Sequence, residues 1–287
     1  MSASGSSLAP RAAPAAASGR ETRLRLDGVG KRFTLADGSV TTALQDLTLD
    51  VAQGEFMVIV GPSGCGKTTV LNLLAGLELP TSGRVTIDGR AITGPGPERG
   101  VIFQEYGVFP WLTVEQNIGF GLGLAANRAS DAERRETVQR YMRLMGLADF
   151  ARAHPKTLSG GMRQRLAIAR AYAVKPEFLL MDEPFGALDA QTRSNMQDLL
   201  LEVLQAEGKT VMLITHSVEE AIYLSSRIVV ATARPARIRE IVEVPFAYPR
   251  DEALHESREF GELRSHIRDL VMQEYAAQQR QVARNLN

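Results

Sequence analysis

The sequence predicts an α/β fold: a mostly parallel sheet built around a phosphate-binding loop, an N-terminal antiparallel β subdomain and an inserted α-helical subdomain. Three observations lead there. First, the apolar run Phe56-Met57-Val58-Ile59-Val60 is followed by Gly61-Pro62-Ser63-Gly64-Cys65-Gly66-Lys67-Thr68-Thr69 and then by Val70-Leu71-Asn72-Leu73-Leu74-Ala75. That is the pattern G-x-x-x-x-G-K-[ST] set between a strand and a helix, the context that gives it meaning. Second, from Phe178 onward short β-type runs alternate with helical ones, as parallel strands joined by crossover helices do. Third, from about residue 113 to 174 the period becomes helical, as at Val138, Tyr141, Met142 and Met145.

The elements follow in order. Residues 1–20 are mostly Ala, Ser, Pro and Gly with Arg11, Arg20 and no acid, a composition that buries too little apolar surface to order itself. A disordered tail is expected, with an Arg- and Ser-rich transit peptide as the alternative; a secretory signal would need an apolar h-region, which this stretch lacks. Alternation from Arg23 to Phe33 and from Val40 to Val51, with Asp37-Gly38 between, predicts two antiparallel strands. The strand and helix of the phosphate loop follow, ending near Gly76. Pro80-Thr81-Ser82-Gly83 turns the chain into a short strand from Arg84 to Ile87, and Gly100–Gln104 reads as a buried strand after the Pro95-Gly96-Pro97 loop. Beyond the helical insertion, strands are expected at 178–181, 210–214, 227–231 and about 237–244, with helices at about 190–206 and 218–224. Residues 21–250 thus form one unit, and 251–287, rich in Glu, Arg, Gln and Ala, form a helical extension with one or two exposed amphipathic helices.

Composition narrows the partners. Lys plus Arg and Asp plus Glu both total 33 in 287 residues, so no global charge points to nucleic acid as a partner. No apolar run approaches the roughly 18–20 residues that span a bilayer, so a membrane role must come through another chain. One cysteine, Cys65, excludes an internal disulfide and fits a reducing compartment.

The chemistry-bearing residues start with the loop itself. Its glycines let successive N–H groups point at one centre, and the following helix adds its positive end, so residues Gly61, Pro62, Ser63, Gly64, Cys65, Gly66, Lys67, Thr68 and Thr69 cradle a polyphosphate. Lys67 is placed to reach the β- and γ-phosphates, and the Thr68 hydroxyl to ligate a bridging Mg²⁺. Phe178-Leu179-Leu180-Met181-Asp182-Glu183 is an apolar strand ending in two carboxylates at the sheet edge beside that loop. Asp182 can hold Mg²⁺ through water, and Glu183 can act as base or water-orienting group at the γ-phosphate; taken alone the pair is also what a solvated strand end looks like. Leu158-Ser159-Gly160-Gly161 opens a helix, with Ser159 as N-cap and two glycines exposing the first amides, which makes a second anion-binding terminus or simply a capped helix.

Leu158-Ser159-Gly160-Gly161 between a Walker A loop and a Walker B strand resembles the ATP-binding cassette family. The resemblance covers roughly residues 23–232 through five ordered motifs. It implies a P-loop ATPase that binds ATP and Mg²⁺ and works as a head-to-tail dimer of two copies. In that dimer Ser159, Gly160 and Gly161 act in trans on the ATP held by the other copy's phosphate loop. It further implies that Phe33 stacks on adenine, that Gln104 senses Mg²⁺ and the γ-phosphate, that Ala187-Leu188-Asp189 lines the dimer interface, and that His216 contacts the γ-phosphate. A finer resemblance, to the nitrate/sulfonate/taurine importer branch, rests on Phe109–Ile118, Met162 and Asp182–Asp189. It implies transmembrane permease subunits, a solute-binding protein and a place on the cytoplasmic face of the inner membrane. Trp111 then sits where the permease docks, or else is a core tryptophan of the insertion. Ser217 after His216 and the segment Glu105-Tyr106-Gly107-Val108 depart from the commonest pattern and leave the solute open. The 71 residues after His216 leave little room for a β-barrel regulatory domain. Two other readings compete: a soluble cassette ATPase acting on nucleic acid or translation, and a simple P-loop kinase, which has no need of Ser159-Gly160-Gly161.

Overall fold

The computed structural model describes residues 21–285 except 128 and 187. The expected tail at 1–20 and Ala187 lie outside the described residues. Strands β1 (Thr22–Thr34) and β2 (Val40–Ala52) pair antiparallel, and the chain reverses between them through Asp37-Gly38, where Gly38 takes φ 81°. After β3 (Phe56–Val60) and helix α1 (Lys67–Ala75) come β4 (Ser82–Ile87) and the two-residue β5 (Arg90–Ala91). They complete a four-stranded antiparallel sheet in the order β2-β1-β4-β5.

Strand β3 belongs to a different sheet. It pairs in parallel with β8 (Thr210–Ile214) and β9 (Arg227–Ala231); β7 (Phe178–Asp182) continues in parallel from β8, and β6 (Arg99–Ile102) from β7. The antiparallel β10 (Ile238–Glu243) closes the far side, giving β10-β9-β3-β8-β7-β6. All five residues of β3, β7 and β8 are buried, which is why their segments 56–60, 178–181 and 211–214 read as unbroken apolar runs rather than alternating ones. Their side chains divide by parity. Met57, Ile59, Leu180, Met212 and Val229 join Val70, Leu71, Leu73 and Leu74 of α1 and the apolar face of the antiparallel sheet. Val58, Val60, Leu179, Met181, Val211, Leu213 and Val230 face the helical layer. Helix α1 is thus packed between two sheets, and the phosphate loop that precedes it is anchored on both sides.

Between β6 and β7 the described chain is helical: α2 (Val114–Phe120), α3 (Asp131–Leu144) and α4 (Gly160–Ala173), joined by short 3₁₀ turns. Capping boxes start the first two. Thr113 with Gln116 and Ser130 with Glu133 each exchange side-chain and backbone hydrogen bonds, which satisfies the orphan amides of the first turn. Helices α5 (Ala190–Glu207) and α6 (Val218–Leu224) cross over to β8 and β9.

The C-terminal stretch differs from the exposed helices the composition predicts. After a 3₁₀ turn at Glu252–Glu256 it is one 28-residue helix, α7 (Arg258–Asn285), packed against α6 and β9. Phe260, Ile267, Leu270 and Val271 are buried in the helical-side core, at spacings that return to one face every two turns. The Phe260 ring lies 4.6 Å from His255 and 6.2 Å from Phe246. Its abundance of charged and amide residues hid a narrow apolar stripe. Phe260→Ala removes a fully buried ring and should cost about 3–5 kcal/mol, seen as a lower urea midpoint at unchanged slope; an unchanged midpoint would show that α7 is not docked.

Candidate functional site

Strand register creates the site. Ile59 of β3 pairs with Ile214 of β8, and Ile214 with Asp182 of β7, so these three residues form one row across the sheet. Ile102 of β6 pairs with Met181, one step earlier. The strands are parallel, so everything that follows this row leaves the sheet at its carboxyl edge: the phosphate loop from Gly61, the pair Asp182-Glu183, His216 and Gln104. That edge is where open α/β sheets bind ligands.

The loop is shaped by two glycines and one lysine. Gly64 and Gly66 take φ 71° and 124°, and a Cβ at Gly66 would lie 2.9 Å from the Ala43 carbonyl oxygen, so only glycine lets the chain pass this close to β2. The Lys67 side chain folds back under the loop and donates from Nζ to the carbonyl oxygens of Gly61 at 2.8 Å and Pro62 at 2.9 Å. Only 6% of Lys67 is exposed, so its ammonium depends on these carbonyls for the hydrogen bonds that water would otherwise make. Cys65 contributes only its backbone. Its thiol is fully buried in the core behind the loop, 3.5 Å from where a Gly61 side chain would begin, and burial pushes its pKa up. A loop position therefore does not make it a reactive thiol, because reactivity requires an accessible thiolate.

Asp182 and Thr68 meet across the gap between β7 and α1, where the Thr68 hydroxyl hydrogen-bonds the carboxylate. Burial is the largest influence on Asp182 and raises its pKa, with the Glu183 charge adding to it; the Thr68 bond and the Lys67 charge act the other way. A buried carboxylate beside a hydroxyl offers the oxygen ligands that a hard divalent cation takes, and such an ion would repay the desolvation of Asp182. Among the described residues no group of three or more His, Cys, Asp or Glu side chains gathers to hold a metal by itself.

Glu183 is held in an uncommon conformation, φ 45°, with its N–H donated to Ile214 O at 2.9 Å and its carbonyl accepting from Gly186 N–H at 3.2 Å. This left-handed turn at the strand end aims the side chain at β8, where Oε2 lies 3.0 Å from His216 Nδ1. A non-glycine residue at positive φ carries strain that its surroundings must hold in place. The pair is open to solvent on the histidine side, where His216 is 56% exposed against 21% for Glu183.

The other predicted positions are more dispersed. Gln104 is exposed, two residues past β6 and level with Glu183 by register. Phe33 is half-buried near the end of β1, and the Lys31 ammonium sits 4.9 Å from its ring centroid. Ser159 caps α4 by accepting from Met162 N–H at 3.2 Å. Asp189 caps α5 through Thr192 N–H at 3.0 Å, and that bond lowers its pKa. Gly160 and Gly161 face Tyr106, Leu188 and Thr192, with no phosphate-loop residue among their near neighbours. Two contacts on the loop lie outside the motifs: Arg234 donates to Gly64 O, and Gln278 of α7 donates to Ser63 O. No local pattern marks either residue, because each comes from a segment distant in sequence.

Comparison with known proteins fits this geometry to a class. A family model described as ABC transporter matches residues 44–186. A putative ATP-binding protein of Brucella abortus is 56% identical over 78% of this chain and 86% of its own length. An uncharacterized ABC transporter ATP-binding protein of Methanocaldococcus jannaschii is 48% identical over 88% and 93%, and the nitrate import ATP-binding protein NrtD of Synechococcus elongatus is 43% identical over 88% and 93%. Among solved structures, a dimeric bacterial ABC transporter cassette aligns with TM-score 0.70 at 32% identity, covering 78% of this chain and all of that one. The same cassette in a post-hydrolysis dimer bound to ADP and phosphate aligns at 0.69 and 31%.

The chain is therefore a P-loop ATPase of the cassette type, and it belongs to the family of ABC transporter ATP-binding proteins. Burial of Cys65 gives a direct check on the loop. A bulky maleimide should label native protein slowly and urea-unfolded protein fast; rapid labelling of the native chain would place the thiol at the surface.

Proposed function

We propose that this chain is the ATP-hydrolysing subunit of an importer for a small solute of the nitrate, sulfonate or taurine kind, working on separate transmembrane permease subunits at the cytoplasmic face of the inner membrane. The observation that carries the catalytic part is the Glu183–His216 pair, 3.0 Å apart on the edge that also carries Lys67, Thr68 and Asp182. Glu183 accepts the proton of the attacking water, and His216 fixes the Glu183 carboxylate and reaches the γ-phosphate. Lys67 leaves the Gly61 and Pro62 carbonyls for the β- and γ-phosphates, which offer a stronger, charged acceptor than the two it holds now. Thr68, Asp182 and Gln104 would hold Mg²⁺, which would supply charge to neutralise the phosphates. Phe33 provides the adenine platform, with Lys31 beside it. Ser159, Gly160 and Gly161 serve the ATP of a second copy, since their own neighbours lie on α5 and at Tyr106; Asp189, at the N-cap of α5, sits in the same interface.

Trp111 supports the permease contact. It is 69% exposed, which removes the core alternative, and its ring lies tilted 5.5 Å from that of Phe109, itself 4.5 Å from the half-exposed Phe120. An aromatic patch left in water at the mouth of α2 fits a hydrophobic partner element. Similarity to a nitrate import ATPase supports a small anionic solute, delivered by a solute-binding protein. A nucleic-acid or translation role finds no support in a chain of zero net charge.

Glu183→Gln should bind ATP as the native chain does, turn over at least ~10²-fold more slowly, and accumulate as an ATP-bound dimer on gel filtration. Turnover near the native rate would remove Glu183 from the base role. Trp111→Ala should leave ATP hydrolysis by the isolated protein intact while abolishing co-purification with the permease; retained co-purification would move the docking site elsewhere.

A further inference from the structure

The phosphate loop is held from behind by segments that the proposed reaction does not use. Past β9 the chain turns through residues 232–237 before returning as β10, and Ala236 ties this turn to β2 through its N–H to Ala43 O at 2.8 Å and its carbonyl to Gln45 N–H at 3.0 Å. Helix α7 holds the turn from the other side. Glu274, buried, accepts the Ala233 N–H on Oε2 at 3.0 Å. Next in the chain, Arg234 donates from Nε at 3.1 Å and from Nη2 at 2.9 Å to the carbonyl oxygen of Gly64. One turn after Glu274, on the same face of α7, Gln278 donates from Nε2 to the carbonyl oxygen of Ser63 at 3.1 Å.

The chemistry of these two carbonyls gives the contacts a consequence. In a trans peptide the C=O and the following N–H point in opposite directions. Donors that take the Ser63 and Gly64 carbonyls from the α7 side therefore turn the N–H groups of Gly64 and Cys65 the other way, into the cradle. The Cys65 N–H has only a long internal partner, Pro62 O at 3.4 Å, and stays available to a phosphate. A guanidinium on the Gly64 carbonyl also polarises that peptide, which strengthens its N–H as a donor, and adds positive charge beside a polyanion site. Loop glycines are conformationally free, so a preset orientation removes an entropy cost that nucleotide would otherwise meet on binding.

We propose that Arg234 and Gln278 are positioning residues for the phosphate loop, and that through them the C-terminal helix sets the affinity for ATP. The inference rests on ATP binding at the phosphate loop. Its test uses the full-length chain and its Arg234→Ala, Arg234→Lys and Gln278→Ala variants. Three readouts are needed: titration with a fluorescent ATP analogue, steady-state kcat and KM, and the melting temperature without nucleotide. Arg234→Ala should weaken nucleotide binding on the order of tenfold and Gln278→Ala roughly fivefold, the scale of a lost charged and a lost neutral hydrogen bond. KM should rise with affinity while kcat moves far less, and the nucleotide-free melting temperature should stay at the native value. Arg234→Lys keeps the charge and one donor but loses the fork, so it should recover part of the affinity. Native-like binding by both alanine variants would overturn the proposal. So would weakened binding that tracks a lower melting temperature and is not restored in Arg234→Lys, since that pattern marks a merely structural contact. Failure of the native chain itself to bind the analogue would overturn the ATP site instead.

Discussion

The site depends on strands β3, β7 and β8 ending level. A parallel sheet with a shared register brings the phosphate loop, a buried aspartate, a glutamate and a histidine to one edge, although up to 155 residues separate them from Gly61 to His216. The level is fixed by burial on both faces. A one-residue slip of any of these strands would exchange the side chains packed on α1 with those packed on the helical layer. The cores that hold the fold are therefore also what aligns the groups at the candidate site.

Around that edge the ionic groups are only partly satisfied by the protein itself. Lys67 rests on two neutral carbonyls, and Asp182 is buried with a hydroxyl as its hydrogen-bond partner and a raised pKa. Glu183 is strained and half turned to solvent. On the proposed reading, a polyphosphate would give Lys67 charged acceptors in place of neutral carbonyls, and a cation would give Asp182 a positive partner.

Much of this was legible in the sequence. Unbroken apolar runs at 56–60, 178–181 and 211–214 announce strands buried on both faces, and the glycine spacing of 61–66 announces the loop. Ser159 ahead of Gly160-Gly161 marks the start of α4. Other features follow from tertiary packing and have no local signature. The apolar face of α7 is spread thinly over Phe260, Ile267, Leu270 and Val271 amid charged residues, so it reads as a surface helix. The outward exposure of Trp111 and the inward turn of Cys65 each depend on what lies next to them in space, and the contacts of Arg234 and Gln278 with the loop join segments 170 and 215 residues apart.

The central claim is that the site is completed by a second copy. Its most direct measurement mixes a chain disabled in the loop, Lys67→Ala, with a chain disabled at the start of α4, Gly161→Asp, and follows ATP hydrolysis. Each variant alone is expected to be inactive. The mixture should hydrolyse ATP, because mixed dimers contain one intact loop facing one intact α4 terminus; a mixture as inactive as its components, with mixed dimers formed, would show that a second copy does not complete the site.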